Sequence, residues 1–149
     1  MATTTYLKIE QPSNDVFKIK EVSDPKDANA TSSILPGGSG RFDTFGSATR
    51  QTFGEGFLDF DWNAGPIEIK GIISTSTKGV GLELTFNEGD AGTRLIGVFW
   101  GNLDTGLQVE YTGGSSNARI YISLREGKYV WVDATRDRWA KKRVILTLA

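Results

Sequence analysis

The sequence predicts an all-β fold: a single-domain antiparallel β-sandwich of about ten strands over residues 1–149. Three observations predict it. Apolar and polar side chains alternate with period two along most of the chain, which is the pattern of half-buried strands. Clusters of Gly, Asn, Asp and Ser separate the alternating runs and supply turn chemistry. Helical patterning is confined to one short candidate turn at 135–142. Many strands joined by short turns close into a sandwich or barrel, and 149 residues suffice to bury one core without disulfides.

In chain order, 6–10 and 16–22 read as the first two strands. A polar loop is expected over 23–33, where Pro25 and the sequon Asn29-Ala30-Thr31 fall. Pro36-Gly37-Gly38-Ser39-Gly40 reads as a turn, because proline fixes the way in and glycine admits positive φ. A short strand follows at 41–45. Over 57–62, Leu58, Phe60 and Trp62 share one face, with Asp59 and Asp61 on the other. Over 66–73, Ile67, Ile69 and Ile73 oppose Glu68 and Lys70. Val80, Leu82, Leu84 and Phe86 form the next apolar face. Residues 93–100 are apolar on both faces, as in a central strand covered from both sides. Further strands are expected at 106–112, 117–124, 129–133 and 143–148, with a hairpin turn at Gly113-Gly114-Ser115-Ser116-Asn117.

The chain contains no histidine and no cysteine. Without histidine there is no Ser-His-Asp or Cys-His nucleophile. Without either residue there is no ordinary zinc, copper, haem or iron–sulfur site. Composition therefore predicts a recognition protein without a cofactor, and not an enzyme. The net charge of −1, from 17 basic and 18 acidic residues, argues against a nucleic-acid partner. The C-terminal end is locally basic: Arg136, Arg138, Lys141, Lys142 and Arg143 face only Asp133 and Asp137 within 133–149. The N-terminus has no basic leader followed by an apolar run, and no stretch is long enough for a membrane-spanning helix. The expectation is a leaderless soluble protein, which could be released or act extracellularly, or one whose leader has been removed.

Three groups of residues are candidates for function. In the basic segment, Trp139 with Arg138, Lys141 and Lys142 combines an interfacial aromatic with cations that attract anionic headgroups or phosphates. The bland alternative is one Trp tucked onto the sandwich with basic stems beside it. Trp62, Trp100 and Trp131 end or punctuate strands and could form an aromatic platform for sugars or lipid heads, core packing being the alternative role for at least two of them. Asp59 and Asp61 project from one strand face as a calcium or acid/base pair, although alternation alone demands polar residues there. Glu55, Glu68, Glu83 and Glu110 could complete a glycosidase-type pair, but no spacing selects one.

Several motifs resemble a family. They are Val16-Phe17-Lys18-Ile19-Lys20, Leu35-Pro36-Gly37-Gly38-Ser39, Gly46-Ser47, and Gly54-Glu55-Gly56-Phe57-Leu58-Asp59-Phe60-Asp61. Together they resemble the aegerolysins, small acidic β-sandwich proteins of fungi and bacteria, over about a third of the chain. The resemblance implies membrane-lipid binding of toxin type, in partnership with a larger pore-forming protein. The run Gly37-Gly38-Ser39-Gly40 is also similar to one in fungal fruit-body lectins, which implies a carbohydrate ligand. A third reading is a self-assembling structural subunit of a virion or filament. It rests on the Gly/Thr-rich all-β composition and on the capacity of an unpaired edge strand to template a homo-oligomer.

Overall fold

A computed structural model describes residues 3–35, 44–45, 57–89, 92–113 and 116–148. The expected turn at 36–40, the start of the short strand at 41–43, and the family-like residues at 46–56 lie outside the described residues. The chain forms β1 (Thr3–Ser13), β2 (Val16–Val22), β3 (Ala30–Leu35), β4 (Thr44–Phe45), β5 (Phe57–Ala64) and β6 (Ile67–Ser74). These are followed by β7 (Gly79–Asn87), β8 (Thr93–Asn102), β9 (Leu107–Thr112), β10 (Asn117–Arg125), β11 (Tyr129–Arg136) and β12 (Trp139–Thr147).

The hydrogen-bonded order is β12-β11-β10-β9-β2-β1-β3-β8-β7-β6-β5, with β4 added beside β8. All pairings are antiparallel except β2 with β9 and β4 with β8. This ribbon of strands doubles over into two packed layers at β1. The first residues of β1 pair with β3 (Thr3 to Leu7), and Tyr6 onward pairs with β2. The front sheet is β12-β11-β10-β9-β2-β1 and the back sheet is β3-β8-β7-β6-β5. The inward residues make one core drawn from both sheets, including Phe17, Ile19, Val109 and Ile120 in front and Ile69, Leu82, Leu84 and Phe99 behind. The layers meet through aromatic pairs. Phe17 lies 5.1 Å from Phe99, and Phe86 packs edge-on to Tyr111 at 4.9 Å.

Period two located the inward faces correctly where no strand is bulged. The strand over 93–100 is more informative. Leu84 pairs with Gly97 but Thr85 with Leu95, so β8 holds one extra residue there. A bulge inverts the facing of everything beyond it. Arg94 and Ile96 point inward on one side of it, Phe99 points inward on the other, and Trp100 faces outward as a result. The two-sided apolarity of this stretch therefore records a change of phase.

Two expectations are corrected. The helical turn expected at 135–142 is a β-hairpin: Arg136 pairs with Trp139 across the two-residue turn Asp137-Arg138. Asp137 adopts φ +54° there and accepts a 2.9 Å bond from the Asn117 backbone N–H, which ties the turn to β10. The one helical turn described is a 3-10 turn at Pro25–Asp27, capped by the Asp24 carboxylate on the Lys26 N–H. The polar loop expected over 23–33 ends in a strand, β3. On its core side Ala30 packs against the hydrophobic core, and Ser32 is buried and donates to the Leu95 carbonyl at 2.8 Å. A satisfied serine takes the place of an apolar side chain at position 32, which interrupts the alternation that would mark the strand in the sequence.

Candidate ligand-binding surfaces

The front sheet presents a cross-strand trough on its outer face. Lys8 on β1 sits directly opposite Lys20 on β2, and Glu10 opposite Lys18. The parallel partner β9 places Glu110 beside Lys18 and Thr112 beside Lys20. These residues, with Asp27 of the 3-10 turn standing over them, line a groove of about 580 Å³. A second depression of about 360 Å³ shares Glu110 and Thr112 and continues past Arg119 to Thr135 and Asp137. Five strands are crossed from β1 to β11, about 19 Å at the usual strand spacing.

Like charges set directly opposite each other weaken a strand pair. Lys8 has relief from Glu10, 3.4 Å away. Among the described residues Lys18 and Lys20 have no ion-pair partner. Two unpaired ammonium groups beside a third, in a groove that also holds the carboxylates of Glu10, Glu110 and Asp27, form a mixed array. It can neutralise anionic groups and accept hydrogen bonds from hydroxyls at the same time.

Further down the same face lies an aromatic patch. The Trp131 ring carries the Arg125 guanidinium 4.9 Å and the Lys142 ammonium 5.7 Å from its centroid. Lys128 covers Tyr129 at 4.9 Å. These cations are held over aromatic faces on the rigid β10-β11-β12 unit, so the patch extends the basic character of the trough.

The residues singled out from sequence do not converge on one site. Lys142 joins the Trp131 patch, with Asp133 as its cross-strand neighbour. Trp62 is 8% exposed and belongs to the core, where Trp139 packs on it with ring centroids 6.5 Å apart. This pair covers the open side of the sandwich between the end strands β5 and β12. Arg138 is exposed in the hairpin turn, and Lys141 is exposed on β12. Trp100 is on the outer face of the back sheet, remote from Trp139, and its ring lies over Gly81. Asp59 and Asp61 are exposed on that same outer face, opposite Ile72 and Lys70. Among the described residues no group of three His, Cys, Asp or Glu side chains could hold a metal.

Sequence reasoning grouped Arg136 with the basic hairpin, but its side chain turns inward. It donates through Nε to the Ser116 hydroxyl (3.1 Å) and through Nη1 to the Pro66 and Asn87 carbonyls (3.0 and 3.1 Å). Its Nη2 donates to Glu88 Oε1 at 2.8 Å. Glu88 also faces Arg94 at 3.5 Å, and Arg94 in turn faces Glu21 at 3.8 Å. Tyr111 completes this inner cluster. Burial pushes its hydroxyl pKa well above the ordinary tyrosine value; the Arg94 charge opposes the shift and Glu21 adds to it. With two arginines against two glutamates, the cluster is charge-balanced. It is a tie between the sheets and offers no vacant charge to a ligand.

The trough residues themselves were missed from sequence. Glu110 was a candidate carboxylate from sequence, but Lys8, Glu10, Lys18 and Lys20 were placed only within the first two strands, and only the register reveals which lysines oppose each other. Comparison with protein-family models, curated proteins and solved structures finds no match to this chain. No helix among the described residues is long and apolar enough to cross a membrane.

Proposed function

We propose that this protein is a non-catalytic, lectin-type recognition module that holds an acidic oligosaccharide along the front-sheet trough. The observation that supports this most is the unpaired Lys18 and Lys20 beside Lys8, interleaved with Glu10, Glu110 and Asp27. A polyanion of phosphodiesters brings anions for the lysines but few hydrogen-bond donors for the three carboxylates. A sugar chain carrying carboxylate or sulfate groups offers both halves of the match: anions for the lysines and hydroxyl donors for the carboxylates. The length of the trough suits an extended chain better than a single small molecule.

The membrane-lipid, toxin-type reading is the second proposal. Its support is the exposed basic hairpin strand with Arg138, Lys141, Lys142 and Arg143. The described turns at 14–15, 75–77, 104–105 and 126–128 are polar, so the loop ends described offer no apolar wedge for a bilayer. A glycan microarray carrying uronate-bearing, sulfated and neutral oligosaccharides tests the first reading. We expect binding to acidic chains, reduced at least about tenfold in the Lys18→Gln/Lys20→Gln variant. Absence of binding to every acidic chain overturns it. Co-sedimentation with phosphatidylserine vesicles, unaffected by that variant but lost on replacing Lys141 and Lys142, would favour the membrane reading instead.

A further inference from the structure

The outer face of the back sheet carries a feature that the front trough does not explain. Across β5, β6, β7 and β8 one row reads Asp61, Lys70, Glu83, Val98, and the next reads Asp59, Ile72, Gly81, Trp100. Trp100 faces outward because of the β8 bulge. It lies against the sheet at Gly81, where an added Cβ would sit 2.5 Å from the indole ring, so a side chain there would lift the ring away. Glycine in the middle of a strand costs up to about 1 kcal/mol relative to alanine. The sequence accepts that cost at a central strand and thereby seats the indole against the backbone.

A trough of about 270 Å³ adjoins the ring, lined by Ile72, Gly81 and Val98, with Glu83 and Lys70 at the polar margin. It falls just below the ~300 Å³ lower bound of ordinary small-molecule sites, a size suited to one ring. Burial raises the pKa of the Glu83 carboxyl above its ordinary value; Lys70 opposes this and Asp61 adds to it. The carboxyl is therefore poorly hydrated and gains from a hydroxyl donor.

We propose that this trough is a second binding site, in which Trp100 stacks on the C–H face of one ring of a neutral sugar while Glu83 and Lys70 bond its hydroxyls. A pyranose has this combination: an apolar face and a rim of hydroxyls that both donate and accept. An anionic sugar is excluded, because Asp59, Asp61 and Glu83 outnumber Lys70 on this face. The site is independent of the acidic-glycan reading, since it stands on different residues of the opposite sheet. With both sites filled, one molecule bridges an acidic chain and a neutral one.

The test is titration with cellohexaose, maltohexaose, xylohexaose and chitohexaose, read by calorimetry and tryptophan fluorescence. Wild-type protein binds at least one of them saturably. Trp100→Ala abolishes that binding, Trp100→Phe retains part of it, and Glu83→Gln weakens it, while Lys18→Gln/Lys20→Gln leaves it unchanged. Far-UV circular dichroism and melting establish that each variant is folded. Absence of saturable binding to all four sugars, or undiminished binding by folded Trp100→Ala, overturns the proposal.

Discussion

Arg136 joins three separate stretches of chain through one guanidinium: the segment before β10, the β5–β6 turn, and the end of β7 with Glu88 beyond it. Removing it leaves Glu88 beside Arg94 alone and takes the guanidinium donor from the Ser116 hydroxyl and from the Pro66 and Asn87 carbonyls, of which Pro66 keeps the Asn87 N–H. Breaking a buried ion pair from one side costs about 3–5 kcal/mol, so Arg136→Ala should lower the urea midpoint sharply. Arg136→Lys should recover little, because an ammonium cannot span four acceptors set in a plane. The direction of Arg136 was legible: Val130, Val132 and Ala134 are inward, and period two carries that phase to 136. Charge grouping along the chain obscured it. Glu83 gives a prediction in pH. Its folded-state pKa is raised, so between the ordinary glutamate value and the raised one the folded chain holds more protons than the unfolded chain. Stability then rises as pH falls through that window. Glu83→Gln should flatten this slope and raise the urea midpoint at neutral pH. An unchanged slope would contradict the assignment.

Strands with an uninterrupted alternation, such as β2, β6 and β10, were legible because half-burial imposes period two on the sequence. Those shaped by an irregularity were not. β8 hides a bulge, and β3 replaces apolar contacts with the Ser32 bond and with Asn29. The Asn29 side chain accepts through its oxygen from the Ile9 N–H at 2.7 Å and donates through its nitrogen to the Ile9 carbonyl at 2.8 Å, extending the β1–β3 ladder past the first residue of β3. Asn29→Ala removes both bonds and should cost about 1–2 kcal/mol, measurable by urea denaturation. The sequon seen in the sequence thus has a structural use for its asparagine. The end strand β12 shows how an exposed edge is managed. Lys141 and Arg143 stand opposite the buried Ala134 and Val132, on the core side of the strand, yet both are exposed. Inward charges on an edge oppose pairing with another sheet. Replacing both with valine should therefore promote association, seen as a mass increase in size-exclusion chromatography with light scattering. A wild-type chain that already forms large assemblies under the same conditions would instead support the structural-subunit reading.

At the scale of the molecule, a net charge of −1 conceals two faces of opposite sign. Among the described residues the front outer face carries Lys8, Lys18, Lys20, Arg119, Arg125 and Lys142 against Glu10, Asp27, Glu110 and Asp133. The back outer face carries Asp59, Asp61, Glu68 and Glu83 against Lys70. Total charge therefore hides the local charge of each face, because the sandwich sorts charge by strand register. The sandwich itself was legible from alternation and turns. The trough was not, since its lysines come from β1 and β2 and its second half from β9, β10 and β11, a neighbourhood created by the parallel β2–β9 pairing.

Electrostatic recognition of a polyanion weakens as salt rises. The most direct test is the affinity for an acidic hexasaccharide, such as hexagalacturonate, measured by calorimetry across a series of salt concentrations. The account predicts saturable binding to wild-type protein that declines steadily with salt, with a shallower decline and weaker binding in the Lys18→Gln/Lys20→Gln variant. Binding that ignores salt and is unchanged in that variant would contradict it.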